Sequence, residues 1–278
     1  MILQPYHPDV PLTAGAWTGV PEKVYHALPE LDQSRLKTLP DDPEKFQNPV
    51  KYTTRPMLFG SAGHCTILEP KSFYERYAIS EFTAPSDFKR ERAQLKKDRP
   101  GVALLTAEEG AQLLRIYKNA QKHKVLQEYL SGTAREVTII FLYRGRMFKA
   151  RLDAMRMIND SYLILDLKFT ESAKPKKFAK TIEDWGLHFQ AATYSLALKS
   201  QIDRPVKIYF GWIVIEPTTG KIALYHADED DILDGLDEFN HALDLLEVYE
   251  KKNEFRTYPE DFTTIKRPYY ARRRGRTA

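Results

Sequence analysis

The sequence predicts an α/β domain with a mixed central sheet flanked by helices. Three observations carry that expectation. Apolar residues recur at helical spacing over 106–130. The period then shortens to two over three consecutive runs, 136–143, 147–155 and 161–168, the pattern of a β-meander. A helix, a β-hairpin and a second helix follow, with no Gly/Ser-rich linker to divide the chain.

Taken in order, residues 1–56 read as an irregular segment packed on the domain. Pro40, Pro43, Pro49 and Pro56 punctuate it, and one helical stretch lies near Leu31–Leu39. The main body is expected over 57–265 and a basic tail over 266–278. Met57–Leu68 reads as a helix stopped by Glu69-Pro70, and Lys71–Tyr77 as a short aromatic helix. Residues 79–105 are charged and read as loop and short helix. Thr106 and Glu109 form a capping box for a helix running to Leu130, its apolar face interrupted near His123. Arg144-Gly145 and Asn159-Asp160 are the turns of the meander. A helix over Lys176–Ser200 precedes strands at Val206–Glu216 and Lys221–His226, and an acidic helix covers Glu229–Lys252.

A chain of 278 residues with 42% hydrophobic content can bury a substantial core. The net charge of +4 says little about partners, but its distribution says more. Lys174, Lys176 and Lys177 form a basic loop after the third meander strand, and Arg272–Arg276 is a basic tail; both suit phosphate contacts. The single cysteine, Cys65, excludes a disulfide framework or a cysteine-held cluster within the chain. The longest apolar stretch, Ile208–Ile215, is too short to cross a membrane, and the N-terminus lacks a signal-peptide pattern. A cytoplasmic, soluble protein is expected.

The chemistry-bearing residues cluster in the meander. Asp153 lies on its second strand; Asp166 and Lys168 lie two residues apart on the third and therefore share a face. Alternating charges are common on solvated strands. Here, however, they end the run Tyr162-Leu163-Ile164-Leu165, apolar enough for a strand buried on both sides. Buried charges need partners, so two acids and an ammonium at that place suit a divalent metal and an activated water. His64 sits among Gly60, Ala62 and Gly63, small residues that permit close approach of another backbone. Gln190 and Tyr194 are spaced i, i+4 and share a helix face, where they could hold a phosphate. Glu136 opens the first meander strand. His7, His26, His123, His226 and His241 read as surface or packing residues.

The ordered set His64, Asp153, Asp166-Leu167-Lys168, Gln190-Ala191-Ala192-Thr193-Tyr194 resembles the signature of PD-(D/E)XK nucleases of the RecB and phage lambda-exonuclease type. Leu31–Leu36 and Phe59–Pro70 narrow the likeness to RecE-type (exodeoxyribonuclease VIII) nuclease domains, over roughly residues 30–200. The resemblance implies a restriction-endonuclease-like fold in a single domain. It implies ligation of Mg²⁺, with Mn²⁺ as substitute, by His64, Asp153, Asp166 and the Leu167 carbonyl. Lys168 would activate water and stabilise charge, Gln190 and Tyr194 would hold the scissile strand, and Glu136 would join the catalytic acids. Many relatives carry Glu where Asp166 stands, and the shorter acid alters ligand distance. The implied activity is 5′→3′ digestion of linear double-stranded DNA from its ends. It would leave a 3′ strand for a single-strand annealing protein, and the implied assembly is a ring-shaped homo-oligomer, trimer or tetramer. The competing readings are an endonuclease or single-strand nuclease of the same chemistry, and a non-catalytic DNA-end-binding protein on the same fold.

Overall fold

The computed structural model describes residues 1–50 and 53–267; the Arg272–Arg276 tail lies outside the described residues. Its first part comprises β1 (Leu3–Pro5), β2 (Gly15–Thr18), α1 (Glu22–Ala27), α2 (Gln33–Leu36), α3 (Pro43–Gln47) and α4 (Arg55–Leu68). Then come α5 (Phe73–Arg76), β3 (Tyr77–Ile79), α6 (Pro85–Asp98), β4 (Ala103–Leu105), α7 (Ala107–Lys122) and α8 (Lys124–Leu130). The meander is β5 (Ala134–Tyr143), β6 (Arg146–Ile158) and β7 (Ser161–Phe169). The last part is α9 (Pro175–Trp185), α10 (Leu187–Lys199), β8 (Ile208–Ile215), β9 (Ile222–His226) and α11 (Glu229–Lys252).

Seven strands make one mixed sheet in the order β1-β2-β5-β6-β7-β8-β9, and β3 with β4 forms a small parallel pair. The expected mixed α/β sheet in a single domain is thus present. β7 is central, antiparallel to β6 and parallel to β8, so α9 and α10 form the crossover that parallel neighbours require. Each meander turn places two residues at positive φ, Arg144 (47°) with Gly145 (76°) and Asn159 (45°) with Asp160 (63°). That backbone matches the twist of the flanking strands. One sheet face is covered by α2, α10 and α11 around Phe148, Phe178, Trp212 and Phe239. The other is covered by α4, α7 and α8 around Ile116, Leu126, Leu165 and Ile213.

Several boundaries differ from expectation. Residues 1–56 supply two short strands at one edge of the sheet and three helices; the strands are three and four residues long, β2 held by pairing with β5 and β1 by pairing with β2 rather than by any local period. The helix expected over 106–130 breaks at His123, which ends α7 and caps α8 by accepting from the Leu126 amide at 3.2 Å. The helix expected over 176–200 breaks at Gly186, whose φ of 57° and ψ of 47° no continuing helix adopts. Residues 79–105 hold a full 14-residue helix, α6.

The feature that positions the site is a fork. β6 has 13 residues, but its pairing with β7 runs only from Ile158↔Ser161 to Ala154↔Leu165 and then stops. Beyond that point the two strands part. Leu31 fills the gap, accepting from the Lys149 amide at 2.8 Å and donating to the Met147 carbonyl at 3.2 Å. The buried Lys149 ammonium donates to the Tyr25 and Leu28 carbonyls at 3.1 and 2.7 Å, tying the end of α1 to the same place. Asp153 and Asp166 stand at the apex.

Candidate metal centre and cleft

At the apex a side chain takes over from the ladder. The Leu167 amide donates to Asp153 Oδ2 at 2.7 Å. Asp153 thus satisfies a backbone donor left free where the strands separate. The same oxygen lies 3.2 Å from His64 Nδ1, contributed by α4 from the opposite face. α4 comes close because Gly63 has no side chain: a Cβ there would meet Phe169 Cζ of β7 at 2.2 Å. The small residues around His64 therefore admit an aromatic ring at Gly63 rather than the backbone expected, and nothing lies within 4 Å of a Cβ on Gly60.

Glu136 reaches the same point by an unusual backbone. It lies across from Asp153 in the β5–β6 register, between the pairs Arg135↔Ala154 and Val137↔Leu152, yet is itself unpaired. Its φ is 51°, the left-handed region that a glutamate enters only at a cost. Inward alternation slips there in both strands. Val137, Ile139, Ala150 and Leu152 face the α10 layer with Met155, whereas Ala154 faces α4. The slip turns both carboxylates toward His64. Ligand atoms of His64, Glu136 and Asp153 all lie within 4.8 Å of one another.

Asp166 sits beside this trio at 1% exposure. Gln190 Nε2 donates to its Oδ1 at 3.2 Å, and the Lys168 ammonium pairs with its Oδ2. Glu136 is paired with Arg151. Glu136, Arg151 and Gln190 border a cavity of about 570 Å³ with His64, Asp153, Glu22, Glu69, Arg76 and Tyr194, whereas Asp166 and Lys168 are not among the residues bordering it.

The electrostatics record an excess of negative charge. Burial, then the charge of Asp153, pushes the Glu136 carboxyl up to about 7, against the pull of Arg151. Burial pushes Asp166 up to about 6, Lys168 opposing and Asp153 reinforcing the rise. For Asp153 burial acts upward, but His64, Lys168 and the Leu167 amide outweigh it and hold the carboxyl below its usual range. Burial likewise opposes protonation of His64, and Asp153 overcomes it, raising the imidazole. Carboxylate oxygens and a histidine at mutual ligand distance, with Glu136 and the neighbouring Asp166 held toward their protonated forms, match the donor set of a hard divalent cation.

A pH dependence follows. Acids with raised folded values contribute stability that is complete below their unfolded values, 4.5 for Glu136 and 3.8 for Asp166. It is lost as pH rises through about 7 and about 6. A divalent cation should relieve that loss. Calorimetric melting in EDTA and in Mg²⁺ should therefore show a larger metal-induced rise at alkaline than at mildly acidic pH. Equal rises at both would show that protons and metal do not compete for these acids.

Of the residues singled out from sequence, His64, Glu136, Asp153, Asp166, Lys168 and Gln190 converge. Leu167 is present through its amide. Gln190 is engaged by Asp166, and Tyr194 is buried against Phe210, its hydroxyl pushed well up by burial. Both border the cavity. Lys174, Lys176 and Lys177 are exposed at the start of α9 and are not among the residues bordering it. Sequence reasoning missed Arg151 as partner of Glu136, although its place two residues before Asp153 on one strand was the available signal. It also missed His26, which borders the cavity.

Comparison with known proteins places this geometry. No curated protein matches the chain in sequence. A crystal structure of a candidate exonuclease from Eubacterium rectale superposes with a TM-score of 0.61 at 16% identity, covering 94% of this chain and 100% of that one. At that identity the likeness shows the fold. SSO0001 (TM-score 0.27, 16% identity, 75% of this chain and 85% of that one) superposes too loosely to bear on it. So does VC1899 from Vibrio cholerae (TM-score 0.23, 10% identity, 81% and 57%). Among the described residues no helix is long and apolar enough to cross a membrane. Residues 30–268 match the family described as a PDDEXK-like domain of unknown function (DUF3799), and the chain belongs to that family.

Proposed function

We propose that the protein is a divalent-metal-dependent nuclease that digests linear double-stranded DNA from its 5′ ends. The observation that carries the reading is the meeting of His64, Glu136 and Asp153 within 4.8 Å, beside the Asp166–Lys168 pair at the β6–β7 fork. The family and the description of the Eubacterium rectale structure agree with nuclease chemistry.

His64, Asp153, Asp166 and the Leu167 carbonyl would hold Mg²⁺, or Mn²⁺ in its place, with Glu136 beside them. The metal, when bound, polarises the phosphoryl oxygen and lowers the pKa of water. Lys168 orients the attacking water and offsets the charge that builds on the phosphoryl oxygens. The water oxygen bonds to phosphorus, the bond to the leaving oxygen breaks, and that oxygen takes up a proton. Gln190 holds Asp166 in place from α10, and Tyr194 lines the wall where the scissile strand lies. Lys174, Lys176 and Lys177 contact phosphates outside the cavity. The product is a 3′ strand suited to a single-strand annealing protein, and the active species is a homo-oligomeric ring, trimer or tetramer.

End-labelled linear duplex and covalently closed circles, each with and without Mg²⁺, test the reading. Linear duplex should be consumed from its 5′ ends and circles should survive. Rapid cutting of circles would make the protein an endonuclease. Binding of ends without any cutting would make it an end-binding protein.

A further inference from the structure

α6 has 14 residues, and none of them is buried. Only Asp87, Phe88, Glu91 and Leu95 are even half-buried, spaced so that one side of the helix rests on the protein. The Arg55 guanidinium stacks over Phe88 at 5.3 Å, and Ser80 meets Glu91. The opposite side is basic. Lys89, Arg92 and Lys96, at i, i+3 and i+7, form one stripe, with Arg90 and Lys97 beside it. Arg90 pairs with Asp87 at 3.5 Å, but the side chains of Lys89, Arg92, Lys96 and Lys97 make no hydrogen bond or ion pair among the described residues. A helix with no fully buried residue contributes little to the core, and its outward cations repel one another. An external polyanion resolves both facts.

Its placement says which polyanion. Arg55, on which α6 rests, is in the first turn of α4, and His64 follows nine residues later on the same helix. That spacing is about 13 Å along the helix axis, or about four steps of one DNA strand at 3.4 Å each. Met57, Gly60 and Ser61, between the two, border the cavity.

We infer that the Lys89–Arg92–Lys96 stripe of α6 grips the phosphate backbone of duplex DNA outside the cavity. The inference rests on the nuclease reading for its choice of polyanion. The stripe is sequence-independent and touches no reacting atom; it holds the flanking duplex.

The test is a triple variant, Lys89→Ala/Arg92→Ala/Lys96→Ala, set against wild type and the charge-keeping Lys89→Arg/Lys96→Arg. Binding of a labelled duplex of about 40 base pairs is followed in EDTA between about 50 and 200 mM salt. The triple variant should flatten the log–log salt slope by about 2.7, near 0.9 for each phosphate no longer neutralised, and the arginine variant should not. Melting should be unchanged in both, since Lys89, Arg92 and Lys96 are all exposed. An unchanged slope in the triple variant overturns the inference even if the wild type cuts DNA. Lost affinity for polyglutamate together with unchanged duplex binding would mean an acidic protein partner, and would also overturn it. A wild type that cuts no DNA in Mg²⁺ removes the nuclease reading instead, and the salt slope then judges α6 alone.

Discussion

Lys168→Ala should cut DNA about 10²-fold more slowly or worse, the scale for losing one charge-stabilising group, while still binding Mg²⁺. Asp153→Ala should lose metal binding and cleavage together. The two residues stand close but differ in kind. Asp153 accepts from the Leu167 amide and faces His64 through one oxygen, so its removal undoes the donor cluster and the closure of the fork at once. The Lys168 ammonium pairs with Asp166 and gives nothing to a cation. Its removal leaves a buried carboxylate without its counter-charge. In metal-free protein that costs stability on the scale of a broken buried pair, about 3–5 kcal/mol. Metal should restore most of it. Titration calorimetry at neutral pH separates the roles. If Lys168→Ala loses metal as severely as Asp153→Ala, the division between ligand and catalyst is wrong.

EDTA should abolish cleavage, and Mg²⁺ or Mn²⁺ should restore it. Ca²⁺ should bind and raise the melting temperature yet support little turnover, because its looser coordination places water poorly. The cavity makes this a demanding requirement. Glu22, Glu69, Glu136 and Asp153 all border it, and a phosphodiester entering without a cation would meet mostly negative charge. Cleavage undiminished in EDTA would end the metal mechanism. Full turnover in Ca²⁺ would mean that octahedral geometry is not what positions the water.

How much of this the sequence disclosed depends on the range of the forces involved. Asp166-Leu167-Lys168 was legible because an apolar run ending in charge is a local pattern, and β7 is the buried central strand that pattern implies. The meander turns and α11, spanning Glu229–Lys252 as expected, were legible because turn chemistry and helical period are also local. The break at His123 left a trace, an interruption of the apolar face there, but not one strong enough to mark a helix end, and the break at Gly186 was not foreseen at all. β1 and β2 were invisible, since three or four residues carry no period, β1 pairs only with β2, and β2's partner β5 lies more than a hundred residues away. The fork was invisible for a related reason. Nothing in β6 or β7 announces where their pairing ends; the ladder stops because Asp153 replaces it and Leu31, from a distant segment, occupies the gap. The pairing of Glu136 with Arg151 joins two strands and that of Gln190 with Asp166 a helix and a strand, contacts no local period foretells.

The left-handed backbone of Glu136 sets selection for a durable protein against selection for a working one. Glycine occupies φ near 51° without the penalty that a side chain incurs. Glu136→Gly should therefore be more resistant to urea than Glu136→Ala, by about 1 kcal/mol, and both should lose activity with the carboxylate. A library screened for stability alone would accumulate glycine at this position and drift toward inactive molecules. One screened for cleavage would keep the strained glutamate and collect its compensating changes elsewhere in the sheet.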